Sequence, residues 1–286
     1  MTQAHQPQAG NVLALENVSR SFGGLHVLQD VSLAIPGQGI FGLIGPNGAG
    51  KTTVFNLITG LLPPSGGAIR FDGRDLAGMK PHDITRLGIA RTFQNIRLFK
   101  EMTLLENVMI GLHSRLDYPA VSSLWVGSAF RREEKRGRAR ALELLSWVRL
   151  EDKAHLLADH LSYGEQRKLE LARALATDPR LLLLDEPVAG MNSGEKQDLM
   201  QDIQRIAERG YAIFMIEHDM PFVMGLCQDI AVLNFGRIIA QGDAEHIRTN
   251  PQVIEAYLGR DDDDDIAQAQ TQPAGASAQP QDGATA

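Results

Sequence analysis

Cysteine is almost absent from this sequence: its 286 residues hold one, Cys227. That excludes a disulfide framework and any metal site built from several thiolates, and it fits a reducing compartment. Cys227 itself is expected to serve as a small buried hydrophobe. Long hydrophobic runs are missing too. No stretch of 18 apolar residues occurs, so no segment is expected to cross a membrane. The opening MTQAHQPQAG lacks the basic-then-apolar layout of a signal peptide, and a cytoplasmic location is expected. Positive charge vanishes after Arg260, where the chain has six Asp and neither Lys nor Arg. The whole chain carries −7, so residues 1–260 are nearly neutral. A large electrostatic footprint for nucleic acid is thereby excluded.

Hydrophobic residues reach 43%, enough for a sizeable core. The ends differ from the middle. Residues 1–10 are rich in Gln, Ala and Pro, and residues 261–286 open with five Asp and continue in Ala, Gln, Pro and Gly. Both are expected to be disordered, because they cannot bury enough apolar surface to offset the entropy of ordering. The Asp run lacks the Gly turn and the spacing of a calcium loop and reads as a solvated tail.

Between the ends, strand-like stretches lie at 12–18, 27–35, 40–44, 68–71, 181–184, 212–216, 230–233 and 237–240. Helical spacing lies at 51–59, 162–176, 193–208 and 243–258. The alternation predicts an α/β core. The early strands follow one another without helices, which predicts an antiparallel flank. Residues 95–160 differ: Thr103–His113 and Arg131–Val148 are helical and no convincing strand lies among them. They read as a helical subdomain inserted between two strands of the core.

One loop carries strong chemical meaning. The apolar Ile40–Ile44 runs into Gly45, Pro46, Asn47, Gly48, Ala49, Gly50, Lys51, Thr52 and Thr53, and a helical stretch follows. This is G-x-x-x-x-G-K-[ST] in its required strand–loop–helix setting. The glycines let successive N–H groups turn inward toward phosphate oxygens, and the helix N-terminus adds its dipole. Lys51 places a positive charge on the β- and γ-phosphates, and Thr52 offers a hydroxyl to Mg²⁺.

A second apolar strand, Leu181–Leu184, ends in Asp185, Glu186 and Pro187. Four consecutive Leu suit a strand buried on both faces. Ligands of open α/β sheets gather at the C-terminal ends of strands. Asp185 is therefore expected to reach Mg²⁺, and Glu186 to serve as general base or orienter of the attacking water. Further along, Leu161-Ser162-Tyr163-Gly164-Glu165-Gln166 precedes a strongly helical run. Ser162 and Glu165 form a capping box, which accounts for both by itself. Gly164 in the first turn costs helix stability and suggests a ligand that needs the backbone close.

LSYGEQ shortly before LLLLDEP, and far downstream of GPNGAGKTT, resembles the signature arrangement of ATP-binding cassette (ABC) ATPases. The resemblance covers residues 11–260. It implies an α/β P-loop NTPase core with an antiparallel β flank and an inserted helical subdomain. ATP and Mg²⁺ are the implied substrate and cofactor. Ser162 and Gly164 would bind the γ-phosphate of ATP held by a second ATPase subunit, the same chain or a different one. Phe22 matches the aromatic that stacks on adenine. Gln94 in ARTFQN matches the glutamine that senses Mg²⁺ and couples to a membrane partner, and His218 in FMIEHD matches the switch histidine that contacts the γ-phosphate. Ala189–Asn192 occupies the loop that crosses the dimer, where Asp is usual in place of Asn192.

Finer features narrow the resemblance. ARTFQNIRLF, MTLLENV, GMN and GRIIAQG are similar to the ATPase subunits of bacterial branched-chain amino acid importers. The long segment around Leu112–Arg132 resembles the larger of their two ATPases. Its apolar part, Tyr118–Phe130, either packs locally or meets a permease. Two membrane permeases, and indirectly a periplasmic binding protein, are the implied partners, at the cytoplasmic face of the inner membrane. A cassette for another cargo, such as urea or lipid, and a soluble non-transport ABC protein are the alternatives.

Overall fold

The computed structural model describes residues 10–113 and 128–258. The expectations for residues 1–9, for the tail 261–286 and for most of the apolar stretch 118–130 lie outside them. The chain begins with a long hairpin, β1 (Asn11–Phe22) and β2 (Leu25–Pro36). Its turn is made by Gly23 and Gly24, with φ +57° at Gly23. β3 (Gly39–Ile44) leads to α1 (Lys51–Ile58), then to β4 (Gly66–Phe71) and the two-residue β5 (Arg74–Asp75). β1, β2, β4 and β5 form an antiparallel sheet in the order β2-β1-β4-β5, as the unbroken run of early strands predicts.

After α2 (Pro81–Leu87) and β6 (Ile89–Arg91) comes the helical insertion. It holds α3 (Leu104–His113), α4 (Ser128–Trp147), two 3-10 turns at Glu151–Lys153 and Ala158–His160, and α5 (Tyr163–Leu175). The chain then returns to the sheet through β7 (Leu181–Asp185), α6 (Ser193–Ala207), β8 (Ala212–Ile216), α7 (Met220–Leu226), β9 (Asp229–Asn234) and β10 (Arg237–Gly242). The second sheet has the order β10-β9-β3-β8-β7-β6. Its strands β9 to β6 run parallel, and β10 closes the edge antiparallel to β9.

Both faces of this sheet are covered, which is why its strands read as continuous apolar runs rather than alternating ones. Ile40, Leu182, Leu184, Ile213 and Met215 face the helices of the insertion, α6 and α7. Phe41, Leu43, Leu181, Leu183 and Phe214 face α1 and the antiparallel sheet. There the Phe214 ring meets those of Phe41 and Phe55 edge-on, with centroids at 5.4 and 5.1 Å. Cys227 is buried, as expected, and its Sγ packs on β3. A Cβ on Gly42 would lie 3.0 Å from that sulfur and 3.2 Å from Val223 Cγ1 of α7, so a side chain there would crowd the approach of α7 to β3. Burial, aided by the Glu217 carboxylate, pushes the Cys227 thiol up to about 12, a small inert residue rather than a nucleophile.

The single helix expected over 243–258 is two, α8 (Ala244–Thr249) and α9 (Pro251–Leu258). Pro251 disfavours helical geometry at Asn250 and lacks an N–H to continue the ladder. Asn250 instead caps the second helix, its Oδ1 accepting from the Gln252 N–H at 2.9 Å.

Candidate active site

Four parallel strands deliver loops to one edge of the second sheet. Leu43 of β3 and Asp185 of β7 both lie level with Ile216 of β8, and Arg91 of β6 lies level with Leu183. Residues 45–50, 92–95, 186–190 and 217–219 all leave from that edge.

The phosphate loop takes its shape from glycine. Gly45, Gly48 and Gly50 have φ of +146°, +81° and +108°. A Cβ on Gly45 would sit 1.9 Å from the Leu233 carbonyl oxygen, so β9 forbids any side chain there. Gly50 caps α1 without a side-chain acceptor, and the first-turn N–H groups are left without a side-chain cap. By contrast Ser162, Asn192, Asp219 and Asp243 each cap their helices through a side chain. Lys51 is buried, and its Nζ donates to the carbonyls of Gly45 and Pro46, the latter at 3.1 Å. Burial lowers its pKa, against the opposing pull of Glu186 and Glu217. Uncapped amides, an open Gly48 and an ammonium resting on loop carbonyls together fit a polyphosphate.

At the end of β7 the two carboxylates diverge. Asp185 is held by Arg91, Nη2 to Oδ2 at 2.7 Å, with both side chains only 6% exposed. Arg91 also donates to Asn56 of α1 at 2.8 Å and stacks near the Phe55 and Phe93 rings. The strand end is thus joined to the helix that follows the phosphate loop. Removing one partner of a buried ion pair strands the other charge, at about 3–5 kcal/mol. Arg91→Met is accordingly expected to lower unfolding free energy by about that amount in urea titrations. Arg91→Lys should cost markedly less.

Glu186 has φ +47°, a left-handed conformation rare for a residue with a side chain. Its N–H bonds to the Ile216 carbonyl at 2.9 Å, and its Oε2 accepts from Gln94 Nε2 at 2.8 Å. Gln94 and Glu186, named separately from the sequence, are therefore neighbours. A hydroxyl on Thr52 and a carboxylate on Asp185 are oxygen ligands of the kind Mg²⁺ takes. His218 is half exposed, with Nδ1 3.8 Å from Glu217 Oε2. Phe22 is exposed at the end of β1, with the Arg20 guanidinium 4.4 Å from its ring centre.

Ser162 and Gly164 make their contacts elsewhere, beside the loop that follows β7. Ser162 Oγ accepts from the Glu165 N–H, and Glu165 accepts from the Ser162 N–H. A Cβ on Gly164 would lie 2.8 Å from Glu195 Oε1. Glu195 in turn completes the capping box of α6 with Asn192. The sequence suggests a ligand as the reason for Gly164; a contact within the chain also disfavours a side chain there, because Glu195 would have to move. Asn192 accepts from the Glu195 N–H at 3.0 Å, a capping role that Asn fills as well as Asp.

Residues 28–189 match the ABC transporter family, and residues 237–263 match the branched-chain amino acid ATP-binding cassette transporter family. The chain belongs to the ABC transporter family. This cassette is 45% identical to the high-affinity branched-chain amino acid transport ATP-binding protein BraF of Pseudomonas aeruginosa, over 87% of this chain and 98% of BraF. LivG of Escherichia coli is 43% identical over the same shares. Among solved structures, the ADP conformation of MJ1267, an ATP-binding cassette of an ABC transporter, superposes with a TM-score of 0.76 at 31% identity. That match covers 87% of this chain and 99% of the other. A dimeric post-hydrolysis state of the cassette MJ0796, bound to ADP and Pi, gives 0.67 at 26% identity, over 81% and 98%. No helix among the cassette's described residues is long and apolar enough to cross a membrane.

Two residues of the cassette are not found from the sequence. Arg91 carries no local signal, since its partner lies 94 positions away. Glu217 has one: it is a carboxylate directly after a buried strand, at the sheet's loop-bearing edge. Fully buried, it accepts from the N–H groups of Val188 at 3.0 Å, His218 at 2.9 Å and Asp219 at 3.3 Å. It thereby joins the loop after Glu186 to the loop of His218.

Proposed function

We propose that this cassette is the ATP-hydrolysing, energy-coupling subunit of an importer for branched-chain amino acids. Residues 11–260 form the ATP-binding domain, with the helical subdomain at about 95–160. Gly45–Thr53 hold the triphosphate and Phe22 stacks on adenine. Thr52, Asp185 and Gln94 would hold Mg²⁺, which would draw charge from the phosphates when bound. Glu186 accepts the proton of the attacking water while Gln94 orients it, and His218 and Lys51 donate toward the γ-phosphate. Ser162 and Gly164 complete the site of a second ATPase subunit. Two permeases receive the motion at the cytoplasmic face of the inner membrane, with a periplasmic binding protein as the source of cargo.

The chemistry rests on one observation above the others: the Gln94–Glu186 bond at 2.8 Å, on the sheet edge that also bears the phosphate loop. The cargo rests on the match of residues 237–263 and on the likeness to BraF and LivG. The test is reconstitution in vesicles with candidate permeases and a binding protein from the same organism. Hydrolysis should rise when the binding protein carries leucine, isoleucine or valine. Stimulation by urea alone, or by no amino acid, would reject this cargo.

A further inference from the structure

On α5, directly after LSYGEQ, two opposite charges one turn apart are buried together. Arg167 and Glu170 have side chains 4% and 3% exposed and meet at 3.3 Å, Nη1 to Oε2. Burying an ion pair is expensive unless its remaining hydrogen-bonding groups are also used. Here the Nη groups of Arg167 are used largely on a single segment, while its Nε and Glu170 Oε1 find no hydrogen-bond partner among the described residues. Arg167 donates from Nη1 to the Phe93 carbonyl at 2.7 Å and from Nη2 to the Gln94 carbonyl. A further bond runs from Nη2 to the Tyr163 hydroxyl at 3.0 Å. Burial raises the pKa of Glu170, opposed by Arg167, by Arg173 and by the backbone N–H groups of Phe93 and Arg97. The cation thus takes the carbonyls of Phe93 and Gln94, and the anion faces the N–H groups of Phe93 and Arg97. That stretch belongs to no helix or strand, so regular backbone pairing does not fix it.

We propose that Arg167 and Glu170 are positioning residues: they clasp residues 93–97 to α5 and so set the Gln94 amide against Glu186. Ser162 and Gly164 stand at the N-terminus of the same helix. A change in α5 imposed by the partner subunit's nucleotide is therefore passed, through one guanidinium and one carboxylate, to the glutamine beside this chain's own base. The inference rests on the roles proposed above for Gln94 and Glu186, and its test separates the two.

The full-length double variant Arg167→Met/Glu170→Gln removes both charges, a replacement that buried pairs commonly tolerate without loss of stability. Hydrogen–deuterium exchange of the amides at 93–97 should quicken about tenfold or more, as expected on loss of charged hydrogen bonds. ATP affinity should stay within about twofold, while kcat falls about tenfold through misplacement of Gln94. Arg167→Lys keeps charge and fold but cannot fork across two carbonyls, and should show a milder form of the same pattern. Unchanged exchange in both variants overturns the clasp. Quickened exchange with unchanged kcat overturns its positioning role, provided that Gln94→Ala, measured alongside, loses rate. If Gln94→Ala hydrolyses ATP like the parent, the role of Gln94 is what fails, and the clasp stands on the exchange result.

Discussion

Glu186→Gln is expected to bind ATP like the parent and to hydrolyse it at least about a hundredfold more slowly. General-base catalysis contributes about 10²–10⁴ in rate, and an amide cannot accept the water proton. The rest of the site should survive the change. The strained backbone at residue 186 is as acceptable to Gln as to Glu, its N–H still has the Ile216 carbonyl, and the Gln94 amide still finds an oxygen to meet. Lys51→Ala should do the opposite and remove affinity, because the buried ammonium at the loop leaves with it. Fluorescent-nucleotide titration and phosphate release, run on both variants, check the contrast. A Glu186→Gln variant whose kcat stays close to the parent's, or one that loses affinity as Lys51→Ala does, would show that Glu186 is not the base.

Two inactive variants should rescue each other when mixed. Lys51→Ala spoils the phosphate-loop wall of a shared site, and Ser162→Asp spoils the opposite wall. Aspartate remains a good helix N-cap, so α5 should keep its fold while a negative charge meets the partner's γ-phosphate. Gly164→Asp would be a poorer choice, because its side chain would collide with Glu195 and disturb the cap of α6. A homodimer of either variant has two damaged sites, whereas a mixed dimer has one site with both faults and one with neither. In a Glu186→Gln background the mixture should regain ATP-dependent pairing, read by sedimentation or nucleotide trapping, at a concentration where the parent pairs. If the parent pairs and the mixture does not, Ser162 is a helix cap and nothing more.

What the sequence reveals about this site depends on how far each side chain reaches. The phosphate loop works through backbone turned by Gly45, Gly48 and Gly50, so its chemistry is written in consecutive residues. Asp185 and Glu186 are legible because they end a run of leucines. Arg91 with Asp185, Glu217 with Val188, and Arg167 with Phe93 are separated by 94, 29 and 74 positions. Those meetings are set by the strand order β3-β8-β7-β6, which pattern alone does not supply. Short elements are hard to see for a different reason. α2 and α7 have seven residues each and carry Pro in their first turn, too few for a helical period to emerge. In α8 and α9 the period persists across Asn250–Pro251 and hides the break.

The Arg91–Asp185 pair bears on how the protein rests between rounds. A carboxylate proposed to serve a divalent cation would, without a counter-ion in the fold, stand as an unbalanced buried charge whenever the cation is away. Here the counter-ion is Arg91, supplied by the fold itself at 2.7 Å and as buried as the carboxylate it faces. The sheet edge therefore carries its own charge balance at Asp185, a durability that belongs to the protein's own residues rather than to any bound group.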